Sequence, residues 1–510
     1  MNKTTLPSRN IILFSFATLA LLCASASVAQ TPAPAPTPAS VVTISLDTAN
    51  VGAAIPADYT GLSFEGSLLM PDKKTSLRVF RSDNKPLLQL FKTLNVKSLR
   101  IGGNTSDRDA VAMPSEADID SLFAFAKASN TKVIYCLRLF KSTPEEAAKT
   151  ASYIMDRYAD LMQCFAIGQE PSAYPKPPKT GEAAAKVGMG EGFENNSYAS
   201  YAANWKKFAA AVLAAAPNAK FCGPAVHNNG AWAKLFMRDF AKTHPVVLIV
   251  EHLYPGGAGG KVLSPEVGIS QMLSDKFIKA CEKLHDSFVP ETLANHLPYR
   301  IEETSNYYNG GAADVSNTYA SALWGLDYMW WWATHDAAGL NFHTGDNVAA
   351  GPDLVPSKYT AYVSAPDGYY VRPLGYGIKA FALGSHGKLI PATVTNADNL
   401  NLNVYATQTE NGDLTITIIN KEHAAGARDA DLTINLNTNA ASYKTAKTMT
   451  LAAPNNDITA KADITLGGAP IKNDGTWSGA WTPAPAPTDG KLRLKAPASS
   501  ATVLLVTREE

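Results

Sequence analysis

Two short segments place a carboxylate where an apolar run stops. In Phe165-Ala166-Ile167-Gly168-Gln169-Glu170-Pro171 the apolar residues lead directly into an acid and then a proline. Arg300-Ile301-Glu302-Glu303 runs in the same way into Thr304-Ser305-Asn306. A lone glutamate at a strand end is usually a solvated residue, because charged side chains are mostly exposed. Two carboxyl groups brought to either side of one bond are another matter. One can protonate a leaving oxygen while the other attacks or activates water, the division of roles that glycosidic cleavage requires. Alternation along a strand does not choose between Glu302 and Glu303, which would point to opposite faces if the strand extends that far. Other polar residues also end apolar runs: Glu65, Asn104 with Asp107, His227 with Asn228, His252 with Tyr254, and His343. No metal ligands occur at diagnostic spacing and no Gly-rich phosphate loop follows a strand, so neither metal nor cofactor is expected.

These residues need a frame that gathers strand ends. From about Tyr59, short apolar runs alternate with helical patterns. The expected strands are Gly61–Phe64, Ser98–Ile101, Lys132–Leu137, Met162–Ile167, Lys220–Gly223, Val246–His252, Tyr299–Glu302 and Gly339–Phe342. Helical stretches such as Pro144–Asp156, Tyr198–Ala215, Trp232–Lys242 and Thr318–Thr334 lie between them. This α/β alternation predicts a (β/α)8 TIM barrel over residues 59–383, with chemistry at the C-terminal ends of its strands. Beyond residue 384 the pattern changes. Asn401–Thr407, Leu414–Ile419, Asp431–Leu436, Lys447–Leu451, Lys491–Leu494 and Ala501–Thr507 alternate between turn residues and predict a C-terminal antiparallel β-sandwich over 384–510. A lone strand within 41–58 is expected to join that sandwich. A chain of 510 residues exceeds the roughly 250–300 at which single cores stop growing, which fits two domains.

The N-terminus predicts a signal peptide over 1–29. Lys3 and Arg9 supply a positive start, Ile11–Cys23 is an apolar run too short to span a bilayer, and Ser27-Val28-Ala29 offers a cleavage site. Leu22 is too bulky for a lipidation signal at Cys23. A secreted or periplasmic protein is expected, free of the membrane once the signal is removed. A Pro/Ala-rich linker over 30–40 follows. The 45 Lys and Arg residues equal the 45 Asp and Glu, which gives no footing for nucleic acid or an anionic membrane. Cys136, Cys164, Cys222 and Cys281 are widely spaced and are expected as buried free thiols.

Taken in order, several segments resemble glycoside hydrolase family 79, and within it the bacterial β-glucuronidases, clan A retaining enzymes related to heparanase. They are Gly61-Leu62-Ser63-Phe64-Glu65, Leu99-Arg100-Ile101-Gly102-Gly103-Asn104, Ala166-Ile167-Gly168-Gln169-Glu170-Pro171, His252-Leu253-Tyr254-Pro255, Arg300-Ile301-Glu302-Glu303, Asn309-Gly310-Gly311, Val315-Ser316-Asn317-Thr318-Tyr319-Ala320 and Asn341-Phe342-His343. The resemblance covers essentially the whole mature chain. It implies Glu170 as acid/base and Glu303 as nucleophile. It also implies that Tyr308 and the Gly310 amide grip the sugar carboxylate, with Tyr359 or Tyr362 as a further tyrosine. Glu65, Asp107, Tyr254 and His343 match other substrate-binding positions. One departure stands out: the family usually has asparagine before the acid/base, and this chain has Gln169, whose amide would bind the sugar 2-hydroxyl. The implied function is a retaining exo-β-glucuronidase whose partner is a carbohydrate, a β-glucuronide. An endo-acting, heparanase-like enzyme and a carbohydrate-binding protein without catalysis are the alternatives. An endo enzyme on sulfated chains would need a cationic cleft, which the neutral composition disfavours.

Overall fold

The structure, a computed structural model, describes residues 39–107, 111–174, 196–350, 353–436 and 443–508. The expected signal peptide and residues 30–38 of the linker lie outside the described residues. Among those described, no helix is long and apolar enough to cross a membrane.

After an isolated first strand, β1 (Ser40–Leu46), eight strands close a barrel. They are β2 (Thr60–Glu65), β3 (Ser98–Gly102), β4 (Lys132–Leu137), β5 (Met162–Ile167), β6 (Phe221–His227), β7 (Val246–Leu253), β8 (Tyr299–Thr304) and β9 (Leu340–His343). Every neighbouring pair runs parallel, and β9 returns to β2. β2, β3, β8 and β9 are buried along their whole lengths, as strands sandwiched between a filled interior and a helical jacket must be. Ile134, Cys136, Cys164, Ala166, Cys222, Ala225, Leu248 and Val250 pack as one interior cluster. At the end of the barrel away from the strand C-termini, Arg300 is tied to the carbonyls of Asp58 (2.8 Å) and Ala338 (3.0 Å). All four cysteines among the described residues are buried and free.

Nine helices are described: α1 (Lys85–Leu94), α2 (Glu116–Ser129), α3 (Pro144–Tyr158), α4 (Tyr198–Ala215), α5 (Gly230–Phe240), α6 (Pro265–Met272), α7 (Asp275–Ala294), α8 (Tyr319–Thr334) and α9 (Pro373–Gly384). Local chemistry sets their ends. α2 begins with a Ser115/Asp118 capping box and ends at Asn130 in the left-handed region; α3 begins with a Thr143/Glu146 box and Pro144 in its first turn. α8 is buried on all sides from Tyr319 to Ala333, which an all-round apolar helix requires.

Two hairpins follow the barrel, β10 (Asn347–Ala350) with β11 (Asp353–Pro356), and β12 (Tyr362–Ala365) with β13 (Gly368–Val371). The remaining strands are β14 (Lys388–Ile390), β15 (Ala392–Asn396), β16 (Leu402–Gln408), β17 (Leu414–Asn420), β18 (Ala430–Asn435), β19 (Tyr443–Ala452), β20 (Thr465–Leu466), β21 (Thr482–Ala484), β22 (Lys491–Ala496) and β23 (Ser500–Arg508). They form two sheets, ordered β15-β1-β18-β22 and β14-β16-β17-β23-β19-β20, with β21 beside β19. Their facing sides bury Val42, Ile44, Leu432, Ile434, Ile416, Ile418 and Leu504 among others. The N-terminal strand does join the sandwich, at its centre. The pairing is antiparallel except that β1 runs parallel to β18.

Some boundaries depart from expectation: β8 runs on to Thr304 rather than Glu302, and β19 begins at Tyr443 rather than Lys447. β6 was expected to stop at Gly223, before Pro224, yet it continues to His227. A register shift between Pro224 and Val226 lets the strand bulge around the residue that has no N–H to give.

Candidate active site

The segment after β5 is shaped by Gly168 and Glu170. Gly168 has φ +90°, and a Cβ there would come within 2.8 Å of Leu139 Cδ2. Glu170 is itself left-handed, at φ 47° and ψ 52°, a strained setting that persists only where surroundings over-determine it. Two contacts do so. The β6 bulge turns the Ala225 carbonyl to accept the Glu170 N–H at 2.9 Å. Asp107, beyond the end of β3, fixes the backbone one residue before the acid: its Oδ2 accepts from Gln169 N (2.6 Å) and from the Tyr174 hydroxyl, and its Oδ1 accepts from Leu139 N (2.7 Å) and Phe140 N (3.2 Å). Burial pushes the Asp107 carboxyl upward despite those bonds.

A second bulge answers the question that alternation left open. The register between β7 and β8 shifts between Glu251 and His252. Glu302 and Glu303 consequently do not face opposite ways: both are buried and both reach Arg100, at 3.7 and 2.7 Å. Strict alternation fails here because Glu302 is the extra residue on β8: Glu251 pairs with Ile301 and His252 with Glu303, leaving Glu302 without a partner on β7.

Arg100 is the centre of the cluster. It sits fully buried on β3, and Gly102 makes room for it, since a side chain there would overlap the guanidinium. Arg100 Nη1 donates to Glu303 Oε2 and, at 3.1 Å, to Ser63 Oγ; Nη2 donates to Gln169 Oε1. Gln169 Nε2 donates to the same Glu303 oxygen at 3.0 Å, and Tyr254 OH donates to Glu303 Oε1 at 3.0 Å. His343 stands 4.0 Å from Glu303, 3.1 Å from Ser63 Oγ and 3.4 Å from Glu65. Burial would raise the Glu303 pKa, but His343, His252, Arg100 and the Gln169 bond outweigh it and hold this carboxyl well below the usual range.

Glu170 belongs to a second chain of contacts. His252 Nδ1 lies 2.9 Å from Glu170 Oε1, and its Nε2 lies 3.4 Å from Glu302 Oε1. Burial alone would depress the imidazole, yet Glu303, Glu170 and Glu302 together raise it to about 10. Glu170 keeps 15 % of its side chain exposed against 6 % for Glu303, so Glu170 is the carboxylate more open to the mouth. Glu170, His252 and Glu303 each bring a ligand atom within 4.8 Å of the others. A metal ion would need a neutral imidazole with a free nitrogen. Both His252 nitrogens face carboxylates, Glu170 on one side and Glu302 on the other.

Around this cluster lie the other expected residues. Glu65 is fully engaged: Oε2 accepts from Thr105 N (2.9 Å) and Oγ1 (2.7 Å), and Oε1 accepts from Ala349 N of β10 at 2.8 Å. That last bond fastens the β10–β11 hairpin over the barrel mouth. Tyr254, Val348 and Tyr359 form one apolar wall, with Tyr308 and Val355 packed on it. Tyr359 stands beside Tyr254 at 5.9 Å and His343 at 6.2 Å between ring centroids, whereas Tyr362 packs on Tyr369 within the helical core. The nearer tyrosine is Tyr359. Tyr308 is half-buried and meets His227 (5.5 Å) and Tyr254 (6.2 Å) edge-on. Gly310 is buried with φ +81°, in a loop pinned where Lys358 N donates to its carbonyl at 2.7 Å. Arg100, Ser63 and the His252–Glu302 contact were not singled out from sequence. An arginine within the apolar strand Ser98–Gly102 is the signal that could have found them, since a buried guanidinium demands acidic partners.

No protein-family profile matches the chain. Over 111 residues it is 30% identical to a β-glucuronidase of Aspergillus niger, a match that takes in 21% of this chain and 20% of that protein. The chain therefore spans about a fifth of that relative's length. Among solved structures, a 4-O-α-L-rhamnosyl-β-D-glucuronidase from Fusarium oxysporum 12S aligns with TM-score 0.66 and 18% identity, covering 92% of this chain and 99% of the other. A family 51 arabinofuranosidase from Xanthomonas axonopodis pv. citri aligns with TM-score 0.63 and 13% identity, covering 92% and 100%. At these identities the structural likeness is one of fold, the closed barrel with its β-sandwich, and a glucuronidase stands in both the sequence and the structural comparison.

Proposed function

We propose that this chain hydrolyses β-linked glucuronides with retention of anomeric configuration. The observation that carries the reading is the approach of Glu170 and Glu303, whose carboxylate oxygens come within 4.8 Å. Retention works with carboxyl groups about 5–5.5 Å apart, while inversion leaves about 6.5–9.5 Å for a water. In this reading Glu303, held ionised by its cationic neighbours, attacks the anomeric carbon while Tyr254 and Arg100 fix its oxygens. Glu170 protonates the leaving oxygen and then activates the water that releases the sugar.

The glucuronide assignment draws on the resemblance to family 79 and on the glucuronidases among the similar proteins. Tyr308 and the Gly310 amide are the proposed donors to the sugar carboxylate, with Tyr359 beside them. Exo action is supported by the β10–β11 hairpin, tied to Glu65 and packed against Tyr254 and Tyr359, which walls one side of the mouth. Export belongs to the same proposal and rests on the basic, then apolar, run in residues 1–29.

Turnover of 4-nitrophenyl β-D-glucuronide tests the reading. The wild type should release nitrophenol and Glu303→Gln should release none, while Glu170→Gln should lose about 10²–10⁴-fold in kcat/KM on phenyl β-D-glucuronide, whose poor leaving group needs a positioned acid. Turnover of an α-L-arabinofuranoside but not of the glucuronide would overturn the substrate assignment. Tight binding of glucuronides with no turnover would favour the binding-protein alternative.

A further inference from the structure

The mechanism above leaves one carboxylate in the pocket without a task. Glu302 is completely buried, and its Oε2 has no hydrogen-bond partner among the described residues. A buried charge of that kind is costly unless a cation compensates it. Arg100 is 3.7 Å away but is already bonded to Glu303, Gln169 and Ser63. The other group within reach is His252, 3.4 Å away, whose opposite nitrogen faces Glu170.

The geometry points to Glu302 as a positioning residue that holds a proton on the His252–Glu170 pair, so that the general acid stays loaded above neutral pH. This rests on the retaining reading of Glu170 and deepens it. The groups that face His252 come from four strands: Glu170 beyond β5, Glu302 and Glu303 on β8, Arg100 on β3 and His227 on β6, with Glu251 beside it on β7. Glu303 has His343 and Arg100 beside it, but without a charge on His252 the only cation in ion-pair contact with Glu302, among the described residues, is the Arg100 guanidinium at 3.7 Å. A charged His252 places a cation between Glu302 and Glu170. Burial opposes that charge, and the carboxylates override burial.

His252 Nδ1, 2.9 Å from Glu170 Oε1, is close enough to pass a proton to that oxygen. The state with one proton on the pair is therefore the reactive one. In the first half-reaction that proton passes to the glycosidic oxygen as the C1–O bond breaks and its electron pair goes to the leaving group. A Glu303 oxygen forms the new bond to C1. In the second half, water attacks C1, the Glu303–C1 bond breaks, and the water's proton returns to the pair. Glu302 touches no reacting atom. It sets the pH at which the pair empties.

The test compares wild type, Glu302→Gln and Glu302→Asp by the pH dependence of kcat/KM on phenyl β-D-glucuronide, whose poor leaving group needs a proton. Removing a charge at this distance should move the alkaline limb of Glu302→Gln to lower pH by about one unit or more. Glu302→Asp should restore part of the shift. On 2,4-dinitrophenyl β-D-glucuronide, whose departure needs no proton, the limb should stay in place; general damage to the site would move both. A substrate-free measurement is independent of the sugar assignment: 15N shifts of His252 in histidine-labelled wild type at pH 8 should report imidazolium. A neutral ring there, or an unmoved limb in folded Glu302→Gln, would overturn the role. If Glu302→Gln does not fold, the wild-type spectrum decides alone. Absence of glucuronide turnover alongside a charged His252 would fault the substrate reading and leave Glu302's role standing.

Discussion

Arg100 shows how the site is organised at the scale of single residues. One guanidinium reaches Glu303, Glu302, Gln169 and Ser63, so the group that orients the proposed nucleophile also joins His343 and His252 in keeping it ionised. Gln169, the departure from the family pattern, has its amide drawn toward Glu303 and Arg100 rather than left pointing into the mouth. Much of this was legible in the sequence, because Glu170 and Glu303 end apolar runs and polar strand ends cluster at a barrel mouth. Arg100 was not, because its role depends on partners about 70 and 200 residues away that only barrel closure brings together. The residue-scale prediction concerns Tyr308. If it donates to the sugar carboxylate, Tyr308→Phe removes one bond to a charged acceptor, worth about 1.5–3 kcal/mol, and glucuronide kcat/KM falls roughly ten- to over a hundredfold. The matching β-glucoside has no carboxylate and should change much less. The ratio of the two kcat/KM values, in wild type and variant, is the readout, and an unchanged ratio would remove Tyr308 from carboxylate recognition.

At the scale of elements, two bulges make the site. The one in β6 aims a carbonyl at Glu170, and the one between β7 and β8 turns Glu302 and Glu303 into the same interior. Strand identity followed from apolar runs bounded by turn residues, but a bulge has no such signature: Pro224 reads as a strand end, and period-two alternation sends one glutamate outward. The β7 strand also carries a titratable group that the chemistry leaves unused. Glu251 is fully buried, accepts only from Asn229 N at 3.1 Å, and has no partner for Oε1 among the described residues. Burial, opposed by the Asn229 bond and His252, raises its pKa to about 8. For a carboxyl whose folded pKa lies above the unfolded value near 4.5, the contribution to stability is full below about 4.5 and is lost as pH rises through about 8. Thermal stability should therefore decline across that window, and Glu251→Gln should flatten the decline and exceed wild type in Tm at pH 8–9. Parallel Tm-versus-pH curves for the two proteins would show that Glu251 is not the group responsible.

At the scale of the whole molecule, α8 is the joint between barrel and sandwich. Its Tyr328 hydroxyl meets Thr304 Oγ1 of β8 at 2.8 Å, one residue from the proposed nucleophile. Its Asp327 accepts from Lys421 (2.7 Å), Asn403 (2.8 Å) and Tyr405 (2.8 Å) on the sandwich side. The alternation of strands and helices, and then of strands alone, made the two architectures readable. The all-apolar face count of α8 did not reveal that it has the sandwich on one side and the barrel on the other, since burial on both sides erases the amphipathic pattern. Asp327→Ala would leave the Lys421 ammonium buried and unpaired, a loss of about 3–5 kcal/mol. Chemical denaturation should show it as a lowered midpoint, and a change below about 1 kcal/mol would mean that the joint does not depend on this pair.

The proposed retention mechanism is tested most directly by the stereochemistry of the first product. When an aryl β-D-glucuronide is hydrolysed in D2O and followed by 1H NMR, double displacement through Glu303 should give β-glucuronic acid first, with the α anomer growing in only by mutarotation. The α anomer appearing first would mean inversion, and would contradict the role of Glu303 as nucleophile.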